Sequence, residues 1–147
     1  MLPDEYRALA EFRHQIRLFL RFSEEQARCS GLEPQQHQLL LAIKGLPADS
    51  KATIAELSSR LQLRHHSTGE LVDRLAARGL VQRVHSETDR REVLIVLTRS
   101  GEALLRRLTL AHREELETAG TELLRSLRSI LRSAGAARAS KRHTQFA

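Results

Sequence analysis

A chain of 147 residues carries 24 Lys and Arg against 18 Asp and Glu, for a net charge of +6, and it has no tryptophan. That length fits one domain or one subunit of an oligomer, and with aromatics at 3% the core must be mostly aliphatic. No apolar run reaches the roughly 18 residues of a transmembrane helix, the charged start MLPDEYRALAEFRHQ lacks a signal-peptide core, and a lone cysteine, Cys29, excludes an internal disulfide framework. A cytoplasmic protein with no membrane partner is expected.

Along the chain, Tyr6, Leu9, Phe12, Ile16, Phe19 and Leu20 recur at three- and four-residue spacings, which predicts one amphipathic helix over residues 4–29. SGLEPQQ ends it, with Gly31 as C-cap and Pro34 opening a second helix over 34–46. After the loop GLPADSKA, Thr53 and Glu56 form a T-x-x-E capping box for a short helix over 54–61. The turn QLR leads to a fourth helix, about 65–78, stopped at Gly79. LVQRV (80–84) and VLIVLT (93–98) then read as strands around the charged finger SETDRREV. Thr98 caps a long helix to about residue 119. Gly120 is expected to break it, a last helix covers 121–134, and 136–147 reads as a basic tail. Charge is uneven: net −1 over 1–50, +3 over 51–99, −1 over 100–120 and +5 over 121–147.

Two short helices joined by a brief turn serve either DNA reading or ordinary packing. The faces of the second helix narrow the choice. Thr68, Leu71, Val72 and Leu75 share one side, and His66, Glu70, Asp73 and Ala77 lie opposite, flanked by Gly69 and Arg74. Arg64, His65 and Ser67 crowd its N-terminal end, where free N–H groups and the helix dipole suit phosphate. The finger carries Arg90 and Arg91 but neither Gly nor Pro, unlike a tight two-residue hairpin. A hairpin directly after a helix-turn-helix makes a winged helix, whose tip can place a guanidinium in a narrow minor groove. Asp89 is placed to brace the Arg91 guanidinium with a bidentate pair. The fold class expected is mainly α with a small β-hairpin wing.

The stretch TIAELSSRLQLRHHSTGELVDRLAARGLVQRV, continued by DRREVLIVLTRSGEALL, resembles the MarR family of bacterial transcriptional regulators. The resemblance lies in the helix-turn-helix, the DRL and GLV segments, the D-x-R wing and the LT-x-x-G entry into the next helix. It covers almost the whole chain as a single subunit, 1–147. It implies dimerisation helices over 4–33 and 100–135 and a winged helix-turn-helix lobe over 34–99. It also implies a homodimer on an inverted-repeat DNA operator, and places Arg91 at the wing tip with Asp89 as its brace. The family has Ser or Thr near position 64, where this chain has Arg64. Either the helix starts later, with Ser67 and Glu70 as a capping box, or Glu70 faces the groove and accepts from cytosine N4. Gly69, at about 1 kcal/mol relative to Ala in a helix, fits close approach to DNA or tight packing.

The DNA-contact set expected is Arg64, His65, His66, Ser67, Thr68, Gly69, Glu70, Arg74, Asp89, Arg90 and Arg91. The resemblance implies a small aromatic or phenolic effector, for which His14, Arg17 and His37 are the polar candidates. His65 and His66 are adjacent, diverge on a helix and make a poor metal pair. No nucleophile elbow or phosphate-binding glycine loop occurs, so neither an enzyme nor a cofactor or metal is expected. Some relatives of the family sense peroxide with a Cys near the start of the first helix; Cys29 falls near its end. The leading reading is a sequence-specific dimeric repressor released by a ligand. A non-specific architectural nucleic-acid binder, suggested by the basic 121–147 segment, is the alternative. A protein-binding module that keeps the fold, suggested by the acids on the reading face, is a third.

Overall fold

The computed structural model describes residues 3–144. In chain order they form α1 (Pro3–Cys29), α2 (Pro34–Lys44), α3 (Ile54–Leu61), α4 (His65–Ala77), β1 (Val81–His85), β2 (Val93–Leu97) and α5 (Arg99–Thr144). The architecture is mainly α with one antiparallel hairpin, in which Val81 pairs with Leu97 and His85 with Val93. The chain divides into two compact units, residues 24–110 and residues 3–23 with 111–144. The first is wider than the 34–99 expected from sequence. Ala27 of α1 and Leu104, Leu105 and Leu108 of α5 join its core, so both long helices feed into it.

Helix ends in this unit are set by local chemistry. At Gly31 (φ +77°) the Leu32 N–H reaches the Ala27 carbonyl and the Gly31 N–H the Arg28 carbonyl, and at Gly79 (φ +70°) Leu80 and Gly79 do the same toward Leu75 and Ala76. Each is a Schellman ending, in which glycine meets the left-handed geometry without a Cβ penalty. Pro34 takes the first turn of α2, where its missing N–H is not needed. The Thr53 hydroxyl accepts from the Glu56 N–H at 3.2 Å. The return half of the expected box does not form. Glu56 binds Arg60 at 3.0 Å instead, and the Thr53 N–H goes to the Lys51 carbonyl.

The core of the unit is aliphatic, with Leu39, Leu40, Leu57, Val72, Leu75 and Ile95 removed from solvent. One junction ties its parts together. The Thr98 N–H donates to the Leu80 carbonyl at 3.0 Å. The Thr98 hydroxyl donates to the Gly79 carbonyl at 2.6 Å and accepts from the Gly101 N–H at 3.1 Å. Thr98 thus caps α5, as expected, and also fastens its start to the end of α4. Gly101 lies against the same turn: a Cβ there would collide with the Leu80 carbonyl.

In the other unit, the His112 ring packs edge-to-face with Phe19 and Phe22 at centroid distances of 6.0 and 5.5 Å. Its Nε2 lies 2.8 Å from the Ser23 hydroxyl. Two expectations fail here. Gly120 does not break the helix; α5 runs through it without interruption, because one glycine costs only about 1 kcal/mol and the leucines on either side keep the helical repeat. Residues 136–144, expected as a tail, are helical too. Their alanines are the best helix formers, and residue composition alone concealed that. Residues 145–147 of that expected tail lie outside the described residues.

Gly101→Ala should lower stability by about 1–3 kcal/mol or more, since overpacking here meets backbone rather than a movable side chain. The check is the denaturant midpoint. A glycine kept only for helix-end flexibility would instead let alanine raise it.

Candidate nucleic-acid interface

α3 and α4 form the helix-turn-helix. The turn rests on Gln62 in a left-handed conformation (φ 54°), a geometry unusual outside glycine and asparagine. The Leu63 N–H reaches the Ser58 carbonyl at 3.0 Å, and the Gln62 side-chain amide donates to the Ser59 carbonyl at 2.7 Å. Between the helices, the Ser58 and Thr68 hydroxyls lie 2.9 Å apart in the interior, and Thr68 also reaches the Arg64 carbonyl at 3.2 Å.

That pairing corrects one site expectation. Thr68 is 0% exposed and sets the crossing of α3 on α4 rather than facing a ligand. The others on α4 and at its N-cap are accessible: Arg64, His65, His66, Glu70 and Arg74 are exposed, and Ser67 and Gly69 half-buried. α4 begins at His65, with Arg64 in extended conformation before it and no side-chain cap. The proposed Ser67–Glu70 box is therefore not formed, because both residues already lie inside the helix. Nor does packing explain Gly69, since a Cβ there would meet nothing within 4 Å.

The wing is built from short polar contacts. The Ser86 N–H donates to the Glu92 carbonyl at 2.9 Å and the Glu92 N–H to the Asp89 carbonyl at 3.0 Å. The Asp89 carboxylate accepts from the Arg91 backbone N–H at 2.9 Å. This corrects the expected brace: Asp89 closes an Asx-type turn, and among the described residues the Arg91 guanidinium forms no ion pair. His85 Nδ1 lies 2.9 Å from the Arg90 carbonyl. Sequence reading missed Lys51, whose ammonium reaches Glu92 at 2.8 Å beside the bond from the Ile95 N–H to the Ala52 carbonyl. These fasten the wing to the loop before α3. Partners 41 residues apart leave no local signal.

The seven arginines from α3 to β2 fall into two groups. Arg60 pairs with Glu56, Arg83 with Asp73 at 2.7 Å, and Arg78 donates to the Gly31 carbonyl at 2.6 Å. The guanidiniums of Arg64, Arg74, Arg90 and Arg91 are exposed and have no partner among the described residues. Of the ligand candidates, His14 and Arg17 are exposed on α1 in one unit, while His37 is buried on α2 in the other. None of the three lines the open cleft of about 440 Å³ beside β2, whose walls include Ile43, Lys44, Leu46, Leu97 and Glu102. No cluster of metal-ligating side chains occurs among the described residues, and none of their helices is long and apolar enough to cross a membrane.

A helix-turn-helix followed by a pinned hairpin defines a winged-helix protein of the transcription-regulator class. The sequence profile of the MarR family matches residues 30–92. Among solved structures, the transcriptional repressor CouR, bound to a 23-mer DNA duplex, is 30% identical over 86% of this chain and 87% of its own, with a TM-score of 0.63. AbsC, a MarR family transcriptional regulator from Streptomyces coelicolor, shares the fold over 100% of this chain and 98% of its own at 19% identity (TM-score 0.69). MarR from E. coli, in its apo form, shares it over 91% and 98% at 21% identity (TM-score 0.60). No curated protein shows significant sequence similarity. The chain belongs to the MarR family, whose members are transcriptional regulators and not enzymes.

Thr68→Val should lower stability by about 1 kcal/mol, the usual net value of a lost hydrogen bond, and leave DNA sequence preference intact. Thermal melting and binding to a selected duplex separate the two effects. An altered preference with unchanged melting would return Thr68 to the contact surface.

Proposed function

We propose that this chain is a cytoplasmic, dimeric repressor that binds an inverted-repeat operator in double-stranded DNA and is released by a small ligand. The observation that carries the DNA-binding part is the set of exposed guanidiniums with no partner among the described residues, Arg64 just before α4, Arg74 on α4, and Arg90 and Arg91 on the wing. Surface arginines freed of internal carboxylates are ready to neutralise phosphates and release counterions. α4 supplies side chains for the major groove, and Arg91 suits the neighbouring minor groove, where a narrow groove concentrates negative potential. The similarity to CouR, a transcriptional repressor bound to a DNA duplex, supports the same assignment.

Dimerisation rests on the unit formed by residues 3–23 and 111–144. Tyr6 and Leu9 stay exposed on α1, and Leu124, Leu127 and Leu131 stay exposed on α5 at four- and three-residue spacing. Such a stripe calls for a second copy, giving helices of 4–33 and 100–135 the dimerising role. For release, the cleft beside β2 has the volume of a small-molecule site, which begins near about 300 Å³. A small aromatic or phenolic effector is the class the family resemblance favours.

Sedimentation should find a two-fold dimer at micromolar concentration, with half-sites about 34–36 Å apart on the selected operator. A folded monomer at that concentration overturns the assembly. Selection from random duplexes at about 150 mM salt should yield an inverted repeat, whereas enrichment without a motif would mark a non-specific binder. Arg91→Ala should weaken operator binding with melting shifted by no more than the roughly 0.5 kcal/mol typical of surface changes. The loss should be largest on A·T-rich flanks. Arg90→Ala, if it loses only a phosphate contact, should weaken all sequences alike and reduce the salt slope by about one unit. Wild-type affinity of Arg91→Ala would remove the wing from the interface.

A further inference from the structure

An acid on a surface built to meet a polyanion needs a reason. Glu70 lies on the outward side of α4, exposed and six residues into the helix. It has no ion-pair or hydrogen-bond partner among the described residues. The other acid of that face, Asp73, is neutralised by Arg83 at 2.7 Å. Glu70 could have been excused as a cap, but α4 starts at His65 with Arg64 before it, so Glu70 is too far inside to serve an unpaired N–H. It could have been excused as half of a helical salt bridge, but Arg74, four residues on and the favourable partner, does not pair with it.

The residue beside it points the same way. Gly69 sits within α4, where glycine is unfavourable, yet a Cβ would meet nothing in this chain. What needs the space is outside the chain. A missing side chain at 69 lets the helix axis sit deeper and brings the short carboxylate of Glu70 to the edges of the bases. In the major groove the only base-edge donors are the exocyclic amines of cytosine and adenine, and a carboxylate, being purely an acceptor, pairs with cytosine N4 without also presenting a donor to adenine N7.

Resting on the DNA-binding role proposed above, we infer that Glu70 is a specificity-determining residue that reads a cytosine in each half-site, and that Gly69 provides the approach it needs. The acid repels phosphate everywhere and is offset only where an exocyclic amine meets it, best that of a cytosine, which has no adjacent acceptor to repel the carboxylate as adenine N7 would. It therefore acts against wrong sequences as much as for the right one.

The test uses the full chain and its Glu70→Gln and Gly69→Ala variants in selections from random duplexes, followed by titration of fluorescent duplexes. Wild type should select an inverted repeat with one C·G pair per half-site that is lost from the Glu70→Gln selection. On paired duplexes with that position changed to T·A, discrimination should fall from about tenfold or more, typical of a direct base contact, to near unity with Gln. Binding to random DNA should strengthen with Gln, because a repulsive charge is gone. If Glu70 is merely a solvated acid, Gln strengthens binding to every duplex by the same factor and the selected motif is unchanged; that result overturns the inference. Gly69→Ala should melt at or above the wild-type temperature, as helix propensity requires, yet lose operator affinity at least tenfold with little change on random DNA. Wild-type operator affinity in Gly69→Ala would overturn the close approach. A wild-type chain that selects no motif at all fails the parent reading instead, and with it the inference, so the two failures are told apart by the wild-type selection alone.

Discussion

The carbonyl of Leu80 is the point on which the lobe turns. It accepts the Thr98 N–H and is overlaid by Gly101, the only residue type that leaves it room. The Thr98 hydroxyl binds the next carbonyl back, that of Gly79. Through these few atoms the end of α4, the start of β1, the end of β2 and the first turn of α5 share one anchor. A hairpin alone in water is marginally stable. Here its base is held by backbone bonds to the helix before it and the helix after it. The placement of the wing relative to α4 is thereby a property of rigid elements, which position side chains more accurately than free loops.

Ionic contacts extend that anchor outward. Lys51 holds Glu92 at the loop end of the hairpin and Arg83 of β1 holds Asp73 of α4. Exposed pairs of this kind contribute only about 0–1 kcal/mol each, so their importance is geometric. They also remove carboxylates that would otherwise attract the arginines meant for another partner. Asp89 is used in a similar way: it bonds to the backbone N–H of Arg91, shaping the turn while leaving the guanidinium outside. From α3 to β2 the chain thus commits Glu56, Asp73, Asp89 and Glu92 to structural contacts and leaves four guanidiniums without a partner among the described residues. Glu70 is the acid on α4 that this division does not account for, which is why it draws a functional reading.

α5 shows how weak punctuation yields to cooperative structure. Gly120 and the small residues near its end look like breaks when read one at a time. Within a helix already nucleated at Thr98, each further residue adds a hydrogen bond at little nucleation penalty, and a run rich in alanine continues it. Leu124, Leu127 and Leu131 stay exposed along it, the stripe on which the proposed dimer rests.

Much of this protein was legible in its sequence. Helix periodicity, the glycines after α1 and α4, Pro34 and the cap at Thr98 are local signals, and they located six of the seven elements within a few residues. The outward face of α4 followed from a helical repeat of 100° per residue. What the sequence left open depended on distance. Whether Ser67 or Arg64 preceded α4 and whether Gly69 was filled or empty turned on atoms brought together by folding, and the expected guanidinium brace of Asp89 gave way to a backbone N–H. Lys51 and Glu92, or Gly101 and Leu80, are far apart in the chain and carry no mark of each other. The fate of Thr68 shows the difference most plainly. Its wheel position put it on the leucine side, but only the packing of α3 placed Ser58 against it and turned a candidate contact into a buried hydrogen bond. Local propensity decides which elements form; which polar groups remain free to meet a partner is decided by where the other elements come to rest.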